Sequence, residues 1–162
     1  MRLIVFLIFI LSTSSIWAQQ NNGSEPGWQI GAQIGRLLPN KVDGASEILP
    51  LWGARIGYDF GTNFIVEAGN ASGNEEGVDW NNFYLSFRTN MDIQDLTGTV
   101  YLGFDGTKYT GTDGESHFIG GNHVGGGLLA DLGKYVQLRL DMKFNIKPAT
   151  SLYIAGGLQF HF

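Results

Sequence analysis

The sequence predicts an all-β chain, an eight-stranded antiparallel up-and-down transmembrane β-barrel. Three observations predict it. Eight runs of roughly 8–12 residues alternate apolar with small or polar side chains, which gives each run two unlike faces and the length of a tilted membrane-crossing strand. The connections between the runs alternate between long and short. The chain also opens on an export-type leader and closes on an alternating strand that ends in the aromatic Phe162.

The leader comes first. Met1-Arg2 is a short basic start, Leu3 to Leu11 is an unbroken apolar run, and Ser12 to Ala18 is small and polar. A membrane-spanning helix needs about 20 apolar residues, so residues 1–18 read as a cleavable signal peptide. Residues 19–26 read as a flexible leader, and residues 27–162 as the barrel domain. The net charge is −5 over the whole chain and one unit more negative once Arg2 is removed. That balance disfavours nucleic acid, which needs clustered cations. With no Cys, disulfides and a lipidated terminal cysteine are excluded and a structural zinc site is disfavoured.

Gly is frequent, at 24 residues, but has no period of three, so collagen is excluded; scattered Gly among aromatic strands fits a tightly curved sheet. The first run, from Gly27 to Leu37, sets Trp28, Ile30, Ala32 and Ile34 against Gln29, Gly31, Gln33 and Gly35. The second, from Pro50 to Phe60, sets Trp52, Ala54, Ile56 and Tyr58 against Gly53, Arg55, Gly57 and Asp59. The third, Asn63 to Asn70, sets Phe64, Val66 and Ala68 against Ile65, Glu67 and Gly69. The fourth, Trp80 to Asn90, sets Phe83, Leu85 and Phe87 against Tyr84, Ser86 and Arg88. The fifth, Leu96 to Asp105, sets Val100, Leu102 and Phe104 against Thr99, Tyr101 and Gly103. The sixth, Asn122 to Leu132, sets Val124, Leu128 and Ala130 against His123, Gly125, Gly127 and Asp131. The seventh, from Val136, sets Leu138, Leu140, Met142 and Phe144 against Gln137, Arg139, Asp141, Lys143 and Asn145. The eighth runs from Ser151 to Phe162. A helix is excluded because apolar positions recur every two residues and Gly interrupts nearly every run.

The odd connections cover residues 38–49, 71–79, 106–121 and 147–150; the even ones cover 61–62, 91–95 and 133–134. Three of the odd ones are long and all the even ones short, the asymmetry of a membrane barrel with short periplasmic turns and longer outer loops. The predicted location is therefore the outer membrane of a Gram-negative cell envelope, with odd connections outside.

Alternation alone does not say which face meets lipid. The polar set is charged and glycine-rich: Arg55, Asp59, Glu67, Arg88, Arg139, Asp141 and Lys143. Trp28, Trp52, Tyr58, Phe60, Trp80, Phe160 and Phe162 suit interfacial aromatic girdles on the apolar face. Both features put lipid outside and charge within. An eight-stranded barrel is only wide enough for its own side chains, so the inner acids and bases are expected to pair as a structural plug. The alternatives are a narrow porin-like passive channel lined by those charges, or a secreted soluble barrel with an apolar ligand inside.

His117, His123 and His161 are the histidines a catalytic set would draw on. A barrel deacylase pairs a histidine with a serine two positions later, but Ile119 and Gly125 occupy those places and His161 is penultimate. Glu115-Ser116-His117 is a chance cluster in a loop. The acids Asp105, Asp113, Glu115, Glu75, Glu76 and Asp79 fit no EF-hand spacing and read as solvated loop acids. The glycine-rich run 120–127 lacks the Lys and helix of a phosphate cradle. No enzyme, cofactor or metal is expected.

Leu138-Arg139-Leu140-Asp141-Met142-Lys143-Phe144, followed by a short link and Leu152 to Phe162, resembles the closing hairpin of the small outer-membrane β-barrel families, including the OmpA- and OmpX-type barrels. The resemblance implies a non-catalytic role in envelope integrity or surface adhesion through loops. It implies outer-membrane lipid, the barrel-assembly machinery during biogenesis and an extracellular partner met through the surface loops. It also implies that Phe160 and Phe162 form the assembly signal, and it carries over no catalytic residue.

Overall fold

The computed structural model describes residues 25–40, 48–75, 77–112, 114–147 and 150–162. The predicted signal peptide and most of the leader lie outside them. The strands are β1 (Gly27–Asn40), β2 (Leu49–Asp59), β3 (Phe64–Glu75), β4 (Val78–Ile93), β5 (Leu96–Thr110), β6 (Ser116–Gly133), β7 (Val136–Lys147) and β8 (Thr150–His161). Each pairs antiparallel with its sequence neighbour. β1 pairs with β8 from Gln29↔His161 to Asn40↔Thr150, which closes the barrel.

Closure follows from the alternation. Each strand buries one parity and exposes the other: Gln29, Gln33 and Leu37 point inward on β1, while Ile34 is 72% exposed on the outer wall. The outer wall is apolar on every strand, with Trp52, Phe83, Phe104, Leu140 and Phe144 all exposed. Such a continuous apolar belt with its polar groups inside is stable only in lipid, where closure also satisfies every backbone group. It is the inverse of a soluble barrel with an apolar interior. Near the end carrying the even connections, Trp28, Tyr58, Phe60, Phe64 and Phe87 form an unbroken aromatic arc, with successive ring centroids 5.0–6.3 Å apart. Amphipathic rings of this kind favour the headgroup level.

Two expectations are corrected. The segments expected as loops over 71–79 and 106–121 are largely strand. Ala71↔Asn82 and Gly73↔Trp80 extend the β3–β4 ladder, and Thr107↔Ile119 and Tyr109↔His117 extend the β5–β6 ladder. Their Gly, Asn and Thr residues resemble loop composition but still supply a full ladder of backbone donors and acceptors, and the paired hairpin satisfies them. The β3–β4 hairpin turns at Gly77, whose φ of +82° suits glycine. Trp80 does not belong to an outer girdle. It shares parity with Asn82, Tyr84, Ser86 and Arg88 and is 3% exposed, packed inside the barrel.

Candidate functional site: a filled lumen and a protruding sheet

Four layers fill the lumen. The first, at the even-connection end, is a polar pit of about 230 Å³ lined by Glu25, Gln29, Asp59, Asn90, Asp92 and His161, among others. Asp59 also accepts a hydrogen bond from the Gly61 amide at 2.8 Å, so it stabilises the β2–β3 turn.

Above the pit lies a charge network built from inward positions of β2, β3, β4 and β7. Arg88 Nη1 donates to Glu67 Oε2 at 2.9 Å, and Arg139 Nη1 donates to the same oxygen at 2.5 Å. Arg139 Nε donates to Asp141 Oδ1 at 3.0 Å, and Arg55 Nη1 donates to Asp141 Oδ2 at 2.6 Å. The run Arg55–Asp141–Arg139–Glu67–Arg88 is thus continuous, with every member buried. Burying charge is costly, and this geometry offsets the cost by giving each carboxylate two guanidinium partners. Three glutamines complete the layer. Gln159 Oε1 accepts from Arg139 at 3.0 Å and Arg88 at 3.3 Å, while its Nε2 donates to Gln29 at 3.1 Å and Gln137 at 3.3 Å; Arg88 Nη2 also donates to Gln29. These glutamines share parity with the charges, but a neutral amide gives no signal in the sequence that sets it apart from any other polar inner residue.

Lys143 stands in the third layer. Its ammonium donates to Asn82 Oδ1 at 2.9 Å and lies over the Tyr84 ring at 4.5 Å. Asn82 donates in turn to Thr107 Oγ1 at 2.8 Å and to Asp105 at 3.5 Å. Here the structure also gathers a serine, a histidine and an acid from three strands. Ser86 Oγ lies 2.8 Å from His123 Nε2, and His123 Nδ1 lies 3.8 Å from Asp105 Oδ2. The residue types are those of a hydrolase triad. The Asp–His separation exceeds hydrogen-bond length, and Ser86 and His123 are both buried. The adjoining cavity is about 10 Å³, too small for a substrate. Ser116 and His117 lie on β6 rather than in a loop. Among the described residues, no set of three His, Asp or Glu side chains is gathered for a metal.

The fourth layer is apolar and lies at the odd-connection end. Leu37, Leu49, Leu51, Val78, Trp80 and Tyr109 pack with Tyr153 and Ala71. Its residues fell within or beside segments read as loops, so alternation alone did not reveal it.

Glycines make room for this filling. A Cβ on Gly69 would meet Tyr84 Oη at 2.4 Å, and one on Gly125 would meet Tyr101 Cζ at the same distance. Large inner side chains therefore lie across backbone that carries no side chain.

Outside the belt, β4, β5 and β6 run 16, 15 and 18 residues, against 12 for β7 and β8. About 9–11 residues suffice to cross a bilayer. The excess protrudes at the odd-connection end. β6 pairs with β5 up to Thr110↔Ser116, but its pairing with β7 stops at Asn122↔Lys147. Among the described residues, Ser116–Gly121 therefore has no strand on its second side. Phe118, in this segment, is 77% exposed.

No protein-family model matches the chain, and no curated protein sequence matches it. Solved structures do. The N-terminal β-barrel domain of Pseudomonas aeruginosa OprF superposes with a TM-score of 0.70 at 15% identity, covering 86% of this chain and 99% of that one. Neisserial surface protein A (NspA) gives 0.68 at 13% identity, covering 88% and 100%. Ail, the attachment invasion locus protein of Yersinia pestis, gives 0.55 at 17%, also covering 88% and 100%. Strand count, closure, apolar outer wall, polar lumen and these superpositions together give the chain the fold of a small eight-stranded transmembrane β-barrel, the fold that these outer-membrane proteins share.

Proposed function

We propose that this protein is a non-catalytic, non-conducting barrel of the outer membrane that holds a β-sheet ridge above the cell surface for a binding partner. The half-paired segment Ser116–Gly121 carries this reading. An open strand edge presents unpaired backbone groups and is a template for strand addition by another chain. Phe118 supplies an apolar contact beside it. Membrane lipid surrounds the outer wall, and the assembly machinery reads Phe160 and Phe162 during biogenesis. The name of Ail, attachment invasion locus protein, supports attachment as a role that this fold carries. The buried charge network and the apolar layer above it are two successive seals, which argues against the passive-channel reading.

The chain's lack of cysteine makes the test direct. Phe118→Cys on intact cells is expected to react with a membrane-impermeant maleimide, while Lys134→Cys at the β6–β7 turn reacts only after permeabilisation. The reverse pattern would overturn the orientation. An array of extended peptides is expected to capture detergent-folded protein. Gly120→Pro is expected to abolish that capture while leaving the folded, heat-modifiable gel band intact. Capture unchanged by Gly120→Pro excludes the strand-edge mode.

A further inference from the structure

The outer wall carries a groove of about 1270 Å³ that runs across β6, β7, β8, β1 and β2. Its shape follows from missing side chains. Gly156 shares the outward parity of Ile154 and Leu158, and Gly126 that of Val124 and Leu128, so an otherwise apolar wall has two gaps. In the ladder Gly156 stands between Ile34 and Leu140, with Trp52 beyond Ile34 and Leu128 beyond Leu140. All four large side chains are exposed and form the banks of a trough whose floor is the backbone at Gly156. The end of Leu140 leans toward the trough, 3.3 Å from where a Gly156 Cβ would stand.

This groove has one outward charge in its lining. Arg36 is exposed on β1 between the outward Ile34 and Leu38, with Ile154 and Pro50 as its ladder partners. It is the diagonal neighbour of Gly156. Asp141 also lines the groove, but its carboxylate is turned inward onto Arg55 and Arg139. Among the described residues, no hydrogen bond or ion pair holds the Arg36 guanidinium. A charge on a lipid-facing wall is costly unless it reaches the headgroups or meets a counter-charge. Arg36 stands about 26 Å along β1 from Trp28. For a strand tilted by about 45° that is about 19 Å along the membrane normal. The apolar band is about 25 Å tall, so the long side chain reaches the headgroup level of the leaflet at the odd-connection end.

We propose that this groove is a fixed site for one phosphorylated lipid, with its phosphate on Arg36 and an acyl chain in the trough over Gly156. Phosphate oxygens suit a planar guanidinium, and this charge-assisted pair is stronger beside hydrocarbon than in water. The chain fills the space left by the absent side chain and restores contacts to Ile34 and Leu140. A smaller groove on the same wall, about 490 Å³ at Trp28, Ile56 and Ala68, has no charged side chain and selects no headgroup. A second barrel docked on the larger groove about a two-fold axis would turn two Arg36 side chains toward each other, a like-charge contact.

Native mass spectrometry tests this on refolded protein released from nanodiscs that hold equal amounts of dimyristoyl phosphatidic acid and dimyristoyl phosphatidylcholine. One bound phosphatidic acid is expected, favoured at least fivefold over phosphatidylcholine. Arg36→Gln is expected to bring that ratio close to one while the protein still runs as the folded band on an unheated gel. Lys108→Gln removes an exposed cation on β5 outside the groove and is expected to keep the preference. Gly156→Leu displaces only the flexible end of Leu140 and is expected to lower lipid retention at least twofold. If that variant does not fold, the Arg36→Gln and Lys108→Gln comparison decides alone. The proposal is overturned by equal retention of the two lipids, by a preference that survives Arg36→Gln or is lost equally in Lys108→Gln, or by a lipid-free dimer.

Discussion

Arg139 grips Glu67 through two nitrogens, Nη1 to Oε2 at 2.5 Å and Nη2 to Oε1 at 3.3 Å. They belong to β7 and β3, four strands apart in a ring of eight, so the pair bridges the full width of the lumen. Two opposite walls are thereby tied by a contact that no neighbouring strands make.

Glu67→Ala would leave Arg88 and Arg139 buried without their shared carboxylate. Removing one partner of a buried pair costs about 3–5 kcal/mol. Urea unfolding in lipid vesicles, followed by tryptophan fluorescence, is expected to show a loss of that size. Wild-type stability would mean that the network contributes nothing to the fold.

Gly69→Ala forces a methyl group into the Tyr84 phenol. Overpacking of this kind costs about 1–3 kcal/mol. Part of that cost is expected to disappear when Tyr84→Leu is made as well, a coupling that a double-mutant cycle reads directly. Additive effects would mean that the backbone carbonyl of Ala54, 2.8 Å from the same Cβ, is the true obstacle.

Leu140 is half-exposed on the outer wall of β7. Leu140→Arg places a charge against lipid, at a cost of about 2–4 kcal/mol near mid-depth. Folding into vesicles is expected to slow and to lose yield, whereas Leu140→Val folds normally. Equal yields would remove Leu140 from the lipid face.

Phe160 lies outward on β8 and pairs with Val136 and Ile30. Phe160→Ser and Phe162→Ser are expected to slow insertion by the assembly machinery more than unassisted folding into vesicles. Equal slowing in both assays would assign the two rings to lipid contact alone.

Refolded protein in a planar bilayer is expected to show no steady conductance steps. A fluorophosphonate probe is expected to leave Ser86 unlabelled, because the Ser86–His123 pair is sealed on both sides. Steady steps would reopen the channel reading, and labelling at Ser86 would make the triad a working one.

Much of this architecture was legible in the sequence. Period-two alternation assigns each residue to a face, and the charge and glycine content of the set holding Arg55, Glu67, Arg88 and Arg139, with aromatics on the opposite face, turns that set inward and sets Leu85 and Leu140 toward lipid. Trp80 shows the limit of reading by residue type. Its parity with Ser86 and Arg88 pointed inward, but a tryptophan near a strand end also suits a girdle. The overhang of β4 to β6 was hidden because Gly, Asn and Thr are common to loops and ladders, and pairing depends on whether a second strand lies alongside.

By itself, the sequence determined the strand count, the faces and the residues available to fill the barrel, because these depend on local periodicity. Only the tertiary structure decided who meets whom. The stagger of eight tilted strands brings Ser86 to His123 from strands two apart and Arg139 to Glu67 across the lumen, and it sets Arg55 and Tyr153 beside one small cavity. Those distances depend on barrel register and closure, and no single strand's alternation encodes them.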